Sequence, residues 1–218
     1  VERAEASGYT ALCVTVDVPL LGVRERDKRN RFGMPEGLRL KNLEQAGADI
    51  MAQASSGSSL NQYVADQFDP SLTWDLLEWL RGITSLPILL KGILNAADAR
   101  LAVEHGVNGI IVSNHGGRQL DGAVTGCEAL PAIVDAVGGA TEILVDGGIR
   151  RGTDVLKALA LGAQAVLIGK SYLWGLAVDG EAGVRNVLDM LRWELSSSMA
   201  LAGRPNIASI DRELIAGS

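Results

Sequence analysis

Five short apolar runs, each followed by a stretch with helical spacing, constrain this chain more than any other feature. They fall at residues 10–16, 86–92, 109–112, 142–146 and 164–168 of the 218. Val, Ile and Leu dominate them with little polar alternation, the pattern of strands covered on both faces. Pro70 to Thr84 places Leu72, Leu76, Leu77 and Leu80 on one helical face. Ala96 to His105 is expected to be a helix closed by Gly106, Cys127 to Val137 one closed by Gly138-Gly139, and Gly152 to Leu161 one closed by Gly162. Two more helices are expected over 171–178 and 181–202. Strand and helix therefore alternate, and the alternation implies a parallel α/β sheet.

A doubly wound sheet and a (β/α)8 barrel both satisfy that alternation. Polar residues at the strand ends discriminate between them, because in a barrel several successive strands feed one site. Here those ends carry Asp17, Lys91, Ser113 with His115, Asp146, and Gly169 with Lys170. All five strands bring chemistry, which favours a TIM barrel. A barrel needs eight units. The expectation is one domain over 1–218, an N-terminally truncated portion covering about strands 4–8, with about three βα units before residue 1. The sequence opens on Val1-Glu2-Arg3 without Met, so N-terminal targeting is not readable.

Composition removes several classes. A net charge of −6 gives no global attraction to nucleic acid. The basic residues Arg24 to Arg31 are interleaved with Glu25 and Asp27, as in a solvated loop or a local anion site. No apolar run approaches the roughly 20 residues of a membrane helix. Cys13 and Cys127 form no CxxC, and no Asn-x-Ser/Thr sequon occurs. A reducing, cytoplasmic setting is expected. No metal site is assigned.

Ser113-Asn114-His115-Gly116-Gly117-Arg118-Gln119-Leu120-Asp121 follows the third strand directly. A histidine titrates near neutrality and suits a general base. Arg118, three residues on, can hold a carboxylate bidentately. Arg24 is a second candidate clamp, though its basic neighbours compete for that role. Asp17 can orient the His115 ring and stabilise the imidazolium. A structural loop histidine is the alternative. Lys91 is either a rim residue or a cation fixed beside an electron-rich ring. Thr15 either hydrogen-bonds a ring heteroatom or packs as a β-branched strand residue. Asp146-Gly147-Gly148-Ile149-Arg150-Arg151-Gly152 and Gly169-Lys170-Ser171 each join a strand to a helix, so backbone N–H groups and a helix N-terminus can meet an anion there. Glycines also serve ordinary turns, but adjacent loops bearing Arg150 and Lys170 favour phosphate. His105, at a helix end, is given no role. Trp74, Trp79, Trp174 and Trp193 lie on helical patterns and are expected in the core rather than at a cofactor.

These residues together resemble the FMN-dependent 2-hydroxy acid oxidase/dehydrogenase family, which includes glycolate oxidase, lactate oxidase, mandelate dehydrogenase and the flavin domain of flavocytochrome b2. The resemblance runs through nearly the whole chain. It is carried by Thr-Val-Asp-Val-Pro with Gly22-Val23-Arg24-Glu25, by Leu-Pro-Ile-Leu-Leu-Lys-Gly-Ile, by the nonapeptide at 113–121, by Asp-Gly-Gly-Ile-Arg-Arg-Gly-Thr-Asp and by Lys-Ala-Leu-Ala-Leu-Gly-Ala. It implies a (β/α)8 barrel that holds FMN and oxidises an (S)-2-hydroxy acid to a 2-keto acid. His115 would be the base, Asp17 its partner, and Arg24 and Arg118 the carboxylate ligands. Lys91 would face flavin N1/O2, with Thr15 and Ser113 also on the flavin. Asp146, Gly148 and Arg150 would form the ribityl-phosphate loop, and Gly169 and Lys170 would complete the phosphate site. Relatives usually have Arg where Lys170 stands. Oxygen, a quinone or a cytochrome would reoxidise the flavin, and the full-length protein is expected to be a homo-oligomer. An inactive piece of such an enzyme, or another FMN barrel that shares only the phosphate loops, is the alternative. The segment after the first strand offers Leu20, Leu21 and Met34 to a substrate side chain without a decisive feature.

Overall fold

The structure, a computed structural model, describes residues 1–32, 37 and 68–216. Its strands are β1 (Leu12–Thr15), β2 (Ile88–Ile93), β3 (Gly109–Val112), β4 (Glu142–Asp146) and β5 (Ala165–Leu167). Its helices are α1 (Glu2–Ala6), α2 (Glu25–Arg29), α3 (Asp75–Ile83), α4 (Ala96–Glu104), α5 (Gly126–Val137), α6 (Gly152–Ala160) and α7 (Lys170–Leu201). The chain divides into two units, one of 1–17 with 76–218 and one of 18–75. The second unit contains α2, a short helix of charged residues with none buried. Met34 lies outside the described residues.

All pairings in the sheet are parallel, and the strands lie in chain order β1-β2-β3-β4-β5. Because each strand pairs with the next, this sheet has no reversal of order. A doubly wound sheet would show one; a run of barrel units would not. The core is formed where helices meet the sheet. Leu130 and Ile133 of α5 are fully buried, as are Ile110 and Val112 of β3 and Val145 of β4. Burying such a side chain contributes about 1.5–3 kcal/mol.

The two ends of the sheet differ in chemistry. At the N-terminal end, side chains serve the backbone. Asn108 Oδ1 accepts from the Ile88 N–H at 2.9 Å, and Gln164 Oε1 from the Ile143 N–H at 2.6 Å. At the C-terminal end the polar side chains serve one another.

Some expectations change in detail. The helix expected over 70–84 begins only at Asp75, which leaves Leu72 outside it. Leu77 and Leu80 still form its buried face. The pair expected over 171–178 and 181–202 is α7, broken at Asp179 and Gly180, where the backbone leaves helical angles. Its two halves touch glycine to glycine: a Cβ on Gly175 would lie 2.5 Å from the Gly183 carbonyl oxygen. Three tryptophans are not in the core: Trp79, Trp174 and Trp193 are 60%, 53% and 70% exposed. Helical periodicity defines faces but does not say which face turns inward. On α3 Leu77 and Leu80 turn inward, and Trp79, between them in sequence, falls on the outer side.

Candidate active site

Register assembles the site. Thr15 pairs with Lys91, Lys91 with Ile111, and Ile111 with Leu144, so these residues share one face of the sheet. Side chains two residues on point the same way, which places Ser113 and Asp146 on that face, one row nearer the strand ends. Lys91 is long enough to reach that row. Its Nζ donates to Ser113 Oγ at 3.0 Å and lies 3.3 Å from Asp146 Oδ2. The ion pair is largely shielded from solvent, with side-chain exposures of 18% and 17%.

Ser113 is fully buried and has a second partner, since its Oγ also accepts from the His115 N–H at 3.0 Å. The loop then turns sharply. His115, Gly116 and Gly117 have φ of 58°, 66° and 72° in succession. A non-glycine residue in this region is uncommon and costs about 1–2 kcal/mol. Asn114 holds the turn closed: its Oδ1 accepts from the Gly117 N–H at 3.1 Å and its Nδ2 donates to the Val124 carbonyl at 3.3 Å. The strained turn carries the imidazole back over β1, where His115 Nδ1 lies 3.1 Å from Asp17 Oδ1. An ionised Asp17 requires the proton on Nδ1, which leaves the Nε2 lone pair as the basic site. Arg118 is exposed, and its Nε donates to the His115 carbonyl at 3.2 Å. Arg24 belongs to the separate unit 18–75, where it immediately precedes α2.

The loop after β4 has Gly147 and Gly148 at φ 88° and 78°. The N-terminus of α6 is already served. Asp154 Oδ2 accepts from the Arg150 and Arg151 N–H groups at 3.0 and 2.9 Å. Glu194, reaching from α7, accepts from the Gly152 N–H at 2.7 Å and pairs with Arg151 at 2.7 Å. The anion-binding capacity expected of that helix end is therefore taken up by two carboxylates. The glycine loop, the Arg150 side chain and the start of α7 remain. Arg150 sits over the Trp174 ring at 5.8 Å from its centroid, within cation–π range. Lys170 Nζ is 3.4 Å from the Gly116 carbonyl, and Gly169 directly precedes α7. Thr15 is exposed at the end of β1.

Gathered at one end of the sheet are thus Asp17, Lys91, Ser113, His115 and Asp146, with Arg118 on the same loop as His115. Residue type alone gave no role to Asn114 or Gln119, and it placed Trp174 in the core. An Asn before Gly-Gly is a turn signal and could have marked Asn114. Gln119, whose Nε2 donates to the Asp17 carbonyl at 3.0 Å, had no local signal. Burial raises the thiol pKa of both Cys13 and Cys127. Lys91 lowers it at Cys13 by a smaller amount. Neither sulfur is activated as a nucleophile.

His115 held by the Asp17 carboxylate, the shielded Lys91–Asp146 ion pair and a glycine loop followed by Arg150 all lie on one parallel βα framework. The family model for FMN-dependent dehydrogenase matches residues 1–217, and the chain belongs to that family. It is 56% identical over 215 residues to the L-lactate oxidase of Nostoc sp., covering 99% of this chain and 59% of that protein. To 2-hydroxyacid oxidase 1 of Homo sapiens it is 52% identical over 217 residues, covering 99% of this chain and 59% of that one. A crystal structure of mandelate oxidase with (S)-4-hydroxymandelic acid superposes with a TM-score of 0.87 at 49% identity, over 96% of this chain and 58% of that chain. The chain thus spans a little under three fifths of the length of these relatives.

Proposed function

We propose that this chain supplies the catalytic wall of an FMN-dependent 2-hydroxy acid oxidase or dehydrogenase, converting an (S)-2-hydroxy acid to the 2-keto acid. The observation that carries the reading is the His115–Asp17 pair at 3.1 Å beside the Lys91–Ser113–Asp146 group. His115 Nε2 takes a proton from the substrate, and the Asp17 carboxylate stabilises the imidazolium that results. Arg118 binds the substrate carboxylate; for Arg24 the family resemblance alone implies that role.

The residues present fit FMN. Asp146 Oδ1 is buried without a hydrogen-bond partner, an acceptor suited to a ribityl hydroxyl. Arg150, Lys170 and the glycines at 147, 148 and 169 offer cations and N–H groups to a phosphate. Lys91 offers positive charge to the ring, and Thr15 and Ser113 offer hydroxyls. Bound FMN supplies the two-electron acceptor. The barrel is completed, on this reading, by βα units outside this sequence. The relatives' greater length supports that. Oxygen or another acceptor as oxidant, a cytoplasmic setting and homo-oligomeric assembly belong to the same proposal. Among the described residues no helix is long and apolar enough to cross a membrane.

The test is anaerobic flavin reduction in the complete protein. His115→Gln is expected to slow reduction by about 10²–10⁴-fold while FMN stays bound in equal amount. Reduction at the wild-type rate in that variant would remove His115 as the base.

A further inference from the structure

Strand β2 is irregular where it reaches the site. Lys91 pairs with Ile111, but Ile93 pairs with Val112, so Gly92 is an extra residue in β2. Such bulges re-aim side chains and concentrate beside active sites. The bulge resets the alternation: Ile93 is only 4% exposed, while Lys91 faces Ser113 and Asp146. Gly92 has φ of +113°, which side-chain-bearing residues rarely adopt. A Cβ there would stand 2.6 Å from Asp17 Cβ, 2.7 Å from its Cγ and 2.9 Å from its backbone nitrogen. Conformation and space, independently, demand glycine at this position.

Asp17 is held from a second direction. Gln119 Nε2 donates to its main-chain carbonyl at 3.0 Å. Gln119 lies on the same loop as His115, so one loop supplies both the imidazole and a tether for the residue that orients it. Asp17 stands just beyond the end of β1, where no ladder pairing fixes it.

We propose that Gly92 and Gln119 are positioning residues that clamp Asp17: the absent side chain of Gly92 admits the carboxylate against β2, and Gln119 ties its backbone to the His115 loop. Both act on the reaction only through Asp17. The proposal rests on His115 being the base.

A mutant cycle in the complete, FMN-loaded protein tests it. The variants are Gly92→Ala, Gln119→Ala, Asp17→Gly, and each of the first two combined with Asp17→Gly. Displacing an orienting group by about 1 Å costs on the order of 10²-fold. Gly92→Ala and Gln119→Ala are expected to slow flavin reduction by about 10–100-fold. KM and the FMN dissociation constant should stay within about threefold, and the pH profile should take the form of Asp17→Gly. In the Asp17→Gly background each substitution should cost less than about twofold, since residues acting through one partner are not additive. Equal losses in both backgrounds overturn the proposal, as does a wild-type rate and pH profile in the single variants. Should Gly92→Ala not fold, the Gln119→Ala arm decides by the same criteria. His115→Gln separates the two readings. If it reduces flavin normally the base assignment fails; if it is crippled while the cycle is additive, only the clamp fails.

Discussion

At Lys170 a single ammonium stands at the start of α7, close to the Gly116 carbonyl. The family resemblance implies a guanidinium at this point. An ammonium is a point charge, whereas a guanidinium grips two phosphate oxygens at once. Lys170→Arg should therefore tighten FMN binding by about threefold to tenfold, with little change in the rate of flavin reduction. Equilibrium dialysis of the complete protein against FMN measures this, and unchanged binding would mean that residue 170 does not bear on the phosphate. Arg150 differs in having an aromatic partner, the Trp174 ring beneath it. The sequence could not show that pairing. Trp174 sits on a helical pattern, and a helical pattern reads as core until the neighbouring loop is in place.

At the scale of elements, α5 shows how much local chemistry a sequence can carry. Thr125 Oγ1 accepts from the Glu128 N–H, and Glu128 in turn accepts from the Thr125 N–H and hydroxyl, a reciprocal cap. Those hydrogen bonds, the Thr125 hydroxyl foremost, hold the Glu128 carboxyl below its usual range. A depressed carboxyl contributes stability that is fully present above the unfolded value, about 4.3, and is lost as pH falls through the folded value. Glu128→Gln should thus lower the urea midpoint at about pH 7 and differ little from wild type at about pH 3. An equal difference at both values would assign the effect to packing. The cap is legible because its partners lie three residues apart. Glu194 was not legible. It serves Gly152 from 42 residues away, and nothing near either residue announces it. The strands were readable as Val/Ile/Leu runs, and Gly92 could be suspected as a strand glycine. That Asp17 fills the space beside it depends on two strands meeting.

At the scale of the molecule, β1 and β5 are the outer strands of the described sheet, each paired on one side only. Unpaired edges invite association. Expressed alone, the 218-residue chain is expected to retain little FMN and to self-associate on gel filtration. Adding, as a separate polypeptide, the βα units proposed to complete the barrel should restore flavin absorbance and a defined species. Full FMN retention by the chain alone would show that its own loops suffice. The barrel class was readable because every strand end carries a polar residue. How those residues interlock was not, because Ser113 serves Lys91 and His115 at once only after β2 and β3 are in register.

The chain-order arrangement of the strands also bears on synthesis. Each strand's partner has already left the ribosome when that strand emerges, so the sheet can be laid down row by row, in keeping with N-terminal-first folding during translation. Asp17 and His115, 98 residues apart, meet only when the third row is added. Until then the nascent protein holds only one member of the pair, and the contact between them first becomes possible at a definite chain length.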